Sequence, residues 1–490
     1  MITKQKREEF SSYLEDTSNL KGTASSLYLP QERNEIISMI REWGEKKIPY
    51  TISSGRTGTT GGCVPLAGVV ISLENLKKII DIDKEKRTVS LEAGVSLEEL
   101  EREANKFNLT LRASPTESLA FVGGAISTCA SGVRGFGYGS IRNYIKECEV
   151  VLPTADTFTL KRGGITSKKR VFDFEQKSKK YQFSLPAYTM PRVKSQAGYF
   201  VADNIDLIDL FCGAEGTLGI VTSCTLMLQQ IPPHAFDGLV FFKNENDALE
   251  FVAEIRALTK NTSLGATSLE FFDVRSLEML KEKFSFIPSS ATAAVYFEQE
   301  AKDQKRYNTL LEQWAQLIEK NNASLDESII AETPKEREKV FDFRHTLPQM
   351  INEFLRQHNQ IKAATDIAVP WEHFREMYTF YKGKGGESKI HFVNFGHIGE
   401  SHLHFNFLPK NEEQGLLARK YLTLFCQKAT SLGGTVSAEH GIGKIKKPYL
   451  KIMYTEKDIN EMMLLKKYFD PHCLLGLDNI FGKDILLKTG

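Results

Sequence analysis

An α+β protein of about two to four domains is expected from three properties of this chain. Its 490 residues are too many for one ordinary core. Short strand-like and helical runs follow one another through the first half. In the second half longer helices alternate with strands, an order that suggests an antiparallel sheet with helices on one face.

Taken in order, residues 1 to about 25 read as a polar helix and lead-in. Tyr28-Leu29-Pro30-Gln31-Glu32 opens a helix through Trp43, with Pro30 suited to its first turn. A strand at 47–52 feeds the glycine-rich run 53–62, and further strands fall at 69–73 and 88–94 around a short helix at 75–80. Ser96-Leu97-Glu98-Glu99 has the form of a helix cap. Residues 113–143 are dense in Gly, Ser, Thr and Ala, which suits backbone passing close to a ligand. A strand at 147–152 precedes a basic, turn-rich stretch at 160–180, read as a solvated surface excursion in preference to an anionic docking patch. Residues 207–228 are apolar and strand-like, and Ile231-Pro232-Pro233 punctuates a boundary. Beyond it lie strands near 238–242, 268–273 and 291–298 and helices at 244–258, 304–320 and 336–358, the last expected to kink or break near Pro348. The expected division is a lead-in at 1–25, a first domain at 26–230, a second at 231–415 and a helical segment at 416–490 that completes the active site.

Composition narrows the function. Sixty-three Lys and Arg against 62 Asp and Glu give a formal charge of +1, so nothing global points to nucleic acid or an anionic membrane. Seven scattered cysteines contain no C-x-x-C pair, which argues against a disulfide framework, an iron–sulfur module or a cysteine zinc site. The N-terminus has no apolar core like that of a signal peptide, and no run reaches the roughly 18 apolar residues of a membrane helix. The expected location is the cytoplasm, with peripheral association at the inner face of a membrane left open.

Residues 391–407 hold four of the ten histidines within fourteen residues and alternate apolar with polar side chains, the pattern of a hairpin broken at Gly399-Glu400-Ser401. If Glu400 and Ser401 form a two-residue loop, Gly399 pairs with His402 and His397 stands opposite His404, which puts two imidazoles on one face. Neutral imidazole suits zinc and its divalent relatives. The alternative is a polar sheet face of hydrogen-bonded histidines.

Ser54-Gly55-Arg56-Thr57-Gly58-Thr59-Thr60-Gly61-Gly62 lies between two strands, where glycines can turn several backbone N–H groups toward a phosphate. It matches neither the Walker pattern nor the dinucleotide fingerprint. A second such segment, Val122-Gly123-Gly124-Ala125-Ile126-Ser127 with Ala130-Ser131-Gly132, favours a large cofactor.

The succession of the 54–62 loop, Leu91-Glu92-Ala93-Gly94-Val95-Ser96, Ser114-Pro115-Thr116, Gly123-Gly124, Gly137-Tyr138-Gly139, Glu215-Gly216-Thr217-Leu218-Gly219, the histidine hairpin and Glu439-His440-Gly441 resembles the FAD-linked oxidases of the vanillyl-alcohol oxidase type. Within them it is most similar to the D-lactate, glycolate and D-2-hydroxyglutarate dehydrogenase branch, over residues 25 to 485. The resemblance implies a two-part FAD domain followed by an α+β cap domain. It implies pyrophosphate contacts from Gly55, Arg56, Thr57, Gly58, Thr59 and Thr60 and from Gly123, Gly124 and Ser127. The adenine end falls near Gly219, Ile220 and Val221, and Pro115, Thr116, Ser131 and Gly216 count with the cofactor contacts. The first loop offers Arg56 and no His, so the expected FAD is non-covalent.

The same resemblance implies oxidation of a D-2-hydroxy acid, in which a hydride leaves the α-carbon while a base takes the hydroxyl proton. It places a divalent metal (Zn, Mn or Fe) on His397, His404 and Glu439, and His440 as the base. Lys194 and Tyr199 match a segment near the flavin. Arg344 is expected either to clamp the substrate carboxylate or to be a solvated helix arginine. The pattern also differs here: Glu400-Ser401-His402 replaces Asp-Gly-Asn, Cys129 stands where Asn is common, and Leu475-Gly476-Leu477-Asp478-Asn479 replaces an Asn-Pro ending. No iron–sulfur motif is present, so electrons must pass to a separate quinone, electron-transfer flavoprotein, cytochrome or oxygen; a homodimer is compatible with this reading. The alternatives are an alkyl-glycerone-phosphate synthase-like reaction on the same scaffold and a flavin-binding electron-relay subunit without substrate chemistry.

Overall fold

The computed structural model describes residues 2–261 and 264–486. The chain forms two compact units, one of residues 1–132, 140–230 and 437–490, the other of residues 133–139 and 231–436. The expected helical segment at 416–490 is therefore divided. The helix Glu412–Ser431 belongs to the second unit, and the chain from Ser437 belongs to the first.

The first unit holds a four-stranded sheet of Ile2–Lys4, Ser26–Leu29, Val69–Ser72 and Tyr50–Ser53, in that spatial order. The expected N-terminal polar helix is replaced by this edge strand and two short 3-10 turns, whose Phe10, Tyr13 and Leu14 pack on Leu27, Leu29 and Val70. Tyr28 and Leu29 are strand, not helix. Pro30 ends that strand, and the helix starts at Arg33, with Trp43 packed edge-on against Tyr28 at 4.9 Å. The expected helix at 75–80 is also absent, because Ile79–Asp83 extends to pair with Thr88–Glu92. These two strands, Ile220–Met227, Ile145–Val151 and Thr157–Lys161 form a five-stranded antiparallel sheet. Ser96 caps the helix Leu97–Asn105 by accepting the Glu99 N–H at 3.1 Å.

The basic excursion is ordered. Val171–Gln176 and Lys179–Ser184 form a hairpin turned by Lys177 and Ser178, both left-handed at φ 49° and 60°. Alternation puts Phe172 opposite Phe183 and Phe174 opposite Tyr181 on one face, and Phe183 packs on Phe469 at 5.0 Å. Of the lysines read in the sequence, Lys177 lies at the turn, Lys179 beside it and Lys180 on the other face, so charge masked an ordinary two-faced hairpin.

The second unit is an antiparallel sheet in the spatial order Ile329–Ala331, His234–Phe242, Ala293–Ala301, Ala266–Asp273, Phe392–Gly396, His402–Phe407 and Ala363–Ala364, with Ile367–Ala368 also on His402–Phe407. Tyr381 and Phe425, from the helices Phe374–Ser388 and Glu412–Ser431, pack on Phe405 at 5.3 and 5.1 Å. The helix Pro334–Gln357 is continuous through Pro348 and places Phe343 against Phe272 at 5.2 Å. No helix among the described residues is long and apolar enough to cross a membrane.

Candidate functional site

In the second unit the histidine hairpin closes differently from expectation. Phe395, not His397, pairs with His404, and Val393 pairs with Asn406. Gly396 leaves the strand at φ 126°, a single 3-10 turn spans Ile398–Glu400, and Ser401 is left-handed at φ 57°. The His402 N–H returns to the His397 carbonyl at 3.2 Å. The longer turn follows from the sequence: Glu400-Ser401 lacks the residues that accept positive φ at both positions of a two-residue hairpin loop. A β-carbon on Gly396 would lie 2.8 Å from the His404 ring, so glycine there lets the ring approach.

The imidazoles converge nonetheless. Ring centroids of His397 and His404 are 5.4 Å apart, those of His402 and His404 4.5 Å, and one nitrogen from each of the three lies within 4.8 Å of the others. The Phe272–Phe395–His404 register puts Glu270 on the same face. Glu270 is fully buried; its Oε1 lies 2.7 Å from His397 Nδ1, and the Arg344 Nε donates to Oε2 at 2.9 Å. Burial pushes this carboxyl up, but Arg344 and His397 more than reverse the effect and hold it well below the usual carboxylate range. Asp366, also buried, places Oδ1 3.0 Å from His402 Nε2. This donor set of soft-edged imidazoles backed by carboxylates fits a divalent transition ion. Arg344 is therefore neither solvated nor open: it is buried and engages Glu270 through two nitrogens.

In the first unit Lys194, Glu439 and His440 form a row. Lys194 Nζ lies 2.8 Å from Glu439 Oε2, and His440 Nε2 lies 3.4 Å from Glu439 Oε1. Backbone and side-chain bonds hold together the two segments that carry them. Gln196 N–H donates to the Ser437 carbonyl at 2.8 Å, and Thr60 Oγ1 donates to the His440 carbonyl at 3.3 Å. The buried Glu215 carboxylate accepts the N–H groups of Ile442 and Gly443 at 2.7 and 2.6 Å. Tyr199 stands apart from this row; it is fully buried, and its hydroxyl shares a 2.8 Å hydrogen bond with Thr217 Oγ1.

Burial pushes the Glu215 carboxyl up to about 7 against the pull of the Ile442 and Gly443 amides. A carboxyl raised in the folded state favours folding while protonated, so this contribution is full below its ordinary value of 4.5 and is lost as pH rises through about 7. Glu215→Gln, which cannot ionise, is expected to flatten the decline in thermal stability across that window. Tm measured at intervals from acid to neutral pH checks this; an unchanged slope in the variant removes Glu215 as its source.

The cofactor residues read from the sequence converge within the same unit. A β-carbon on Gly124 would lie 2.4 Å from Ser54 Oγ, and one on Gly55 would lie 2.8 Å from the Leu119 carbonyl, so the 54–62 loop and the helix Val122–Ser127 meet at contact distance. Glu215 N–H donates to the Ser127 carbonyl at 2.7 Å, which brings Gly216 and the strand start at Gly219, Ile220 and Val221 to the same place. Gly132 packs against Ser114 and Pro115, which seats Ser131, Pro115 and Thr116 beside one another. Thr17 Oγ1 lies 2.9 and 2.7 Å from the carbonyls of Thr57 and Gly58. Each trans peptide points its N–H opposite its carbonyl, so the Gly58 and Thr59 N–H groups face away from Thr17, as a phosphate cradle requires. Arg56, left-handed at φ 59°, lays its guanidinium 4.2 Å from the Tyr13 ring centroid. These features fit FAD.

Glu270, Asp366 and Glu215 were missed from the sequence as site residues. Two carried a signal: an acidic residue within Leu269-Glu270-Phe271-Phe272, or within Thr365-Asp366-Ile367-Ala368, is buried only with a partner.

Residues 231–476 match the C-terminal domain of FAD linked oxidases, and residues 24–161 match an FAD binding domain. The chain belongs to the FAD-linked oxidase family and is an FAD-dependent oxidoreductase of that family. It is 28% identical over 462 residues to a D-lactate dehydrogenase of Anaerostipes hadrus, covering 92% of this chain and 88% of that protein. It is 25% identical over 480 residues to the glycolate oxidase subunit GlcD of Bacillus subtilis, covering 96% and 91%. It is 26% identical over 472 residues to a D-2-hydroxyglutarate dehydrogenase of Xanthomonas citri pv. viticola, covering 93% and 89%. Among solved structures, an alkyldihydroxyacetonephosphate synthase aligns with a TM-score of 0.67 at 17% identity over 97% of this chain and 81% of that one, a likeness of fold alone.

Proposed function

We propose that this protein oxidises a D-2-hydroxy acid to the 2-oxo acid. The observation that carries the reading is the Lys194–Glu439–His440 row, a cation, a carboxylate and a basic nitrogen brought together from two hydrogen-bonded segments. Similarity to proteins named for D-lactate, glycolate and D-2-hydroxyglutarate supports the substrate class.

His440 takes the proton of the substrate hydroxyl, and Glu439 orients that imidazole. Bound FAD supplies the two-electron acceptor for the hydride that leaves the α-carbon. The set read from the sequence for a divalent ion is His397, His404 and Glu439; such an ion would supply Lewis-acid polarisation of the substrate hydroxyl. Arg344 acts on the site through Glu270 and His397, fixing the latter's ring. The electrons then pass to a separate acceptor. Seven free cysteines suit a reducing compartment, which we take to be the cytoplasm.

Anaerobic addition of a panel of D- and L-2-hydroxy acids to FAD-loaded, metal-replete protein tests the function. Bleaching of the flavin absorbance by one or more D-acids is the expected result. No bleaching by any member of the panel rejects it.

A further inference from the structure

We propose that His402 is a third imidazole ligand, so that this chain holds its divalent ion on three histidines of one hairpin. The inference rests on the metal reading above and refines it, because the related pattern writes Asn at this position. Three observations converge on it.

First, His402 and His404 alternate along one strand and so share a face, and the returning turn brings His397 to them, with one nitrogen of each ring within 4.8 Å of the others. Nitrogens on a tetrahedral ion at about 2.0–2.1 Å stand about 3.4 Å apart, so binding asks each ring to move by roughly an ångström.

Second, His402 is fully buried in company with a buried carboxylate, Asp366 Oδ1 at 3.0 Å from Nε2. Two such groups set together in a core are weak contributors to stability by themselves. A carboxylate on one imidazole nitrogen fixes the ring's tautomer and makes its other nitrogen a better donor to a metal. Asp366 is placed for this by pairing of Ile367 and Ala368 with Leu403 and His402.

Third, the same device recurs on His397, whose Nδ1 is held by Glu270 at 2.7 Å. Glu270 is itself fixed by Arg344. Two of the three rings thus carry a buried carboxylate. Any buried imidazole needs a partner for its N–H; carboxylates beside two of three rings whose nitrogens converge are the arrangement that metal-binding histidines use.

The test uses the FAD-loaded full chain. Zinc content, zinc affinity by chelator competition and the number of imidazoles on zinc from X-ray absorption are measured for the wild type, His402→Asn and Asp366→Asn. Flavin content and circular dichroism confirm that each is folded. Expected are three imidazoles in the wild type, two in His402→Asn with affinity at least tenfold weaker, and three in Asp366→Asn with affinity weakened by about 10- to 100-fold. Two imidazoles in the wild type, or an unchanged count and affinity in His402→Asn, overturn the third ligand and leave the metal reading standing. Absence of stoichiometric zinc from wild-type protein supplied with it removes the metal reading as well.

Discussion

His440→Ala is expected to slow flavin reduction by about 10²- to 10⁴-fold at saturating substrate, the usual contribution of a positioned base. The substitution removes the imidazole but spares what holds its loop: the Thr60 bond goes to the His440 carbonyl, and the Glu215 bonds go to Ile442 and Gly443. Lys194 and Glu439 keep their ion pair. FAD content and thermal stability should therefore stay near wild type while anaerobic stopped-flow reduction collapses. The deficit should shrink as pH rises and more of the substrate hydroxyl reacts without a base. A variant that reduces its flavin at the wild-type rate removes His440 from the proton transfer.

Arg344→Ala is expected to destabilise the protein by about 3 kcal/mol, the low end for breaking a buried ion pair. Glu270 is fully buried and takes two guanidinium nitrogens, at 2.9 and 3.3 Å. Without them a carboxylate remains in the core with His397 as its nearby basic group, and that imidazole must then draw a proton. The loss should thus appear both in denaturant unfolding and as weaker metal retention, since a protonated His397 is a poorer ligand. Unfolding within about 0.5 kcal/mol of wild type, the range of an ordinary surface substitution, contradicts the buried-pair account. Arg344→Lys should recover part of the stability, because an ammonium keeps the charge and loses the two-pronged geometry.

How much of this was legible in the sequence depended on whether the signal was local. The glycines of 54–62 and 122–127 read as a cradle because their spacing between apolar strands is a local fact. His397 and His404 read as partners because strand alternation is local too. The register between them was not, since it turned on whether Glu400 and Ser401 could make a tight loop. The N-terminal strand failed for a related reason. Ile2–Lys4 is polar and short, and only pairing with Ser26–Leu29 makes it strand. The 171–184 hairpin was hidden by the run of lysines at and beside its turn, although Phe172, Phe174, Tyr181 and Phe183 already alternate. Glu270, Asp366 and Glu215 needed long-range knowledge. Each is defined by a partner far along the chain, Arg344 for the first and Ile442 with Gly443 for the last.

The first unit is not continuous in sequence, and this governs how it can fold during synthesis. Tyr50 N–H donates to the Leu474 carbonyl at 2.9 Å, and the Gly476 N–H returns to the Tyr50 carbonyl at 2.9 Å. Glu215 likewise waits for Ile442 and Gly443. A ribosome must therefore deliver the whole intervening stretch before the edge strand Tyr50–Ser53 gains its last neighbour and the glycine loop beside it is secured. The second unit, apart from Val133–Gly139, is drawn from one uninterrupted run of chain and has no such delay. Contacts that span more than 400 residues make the cofactor-binding half the late and slow step of biogenesis, exposed meanwhile to aggregation and proteolysis.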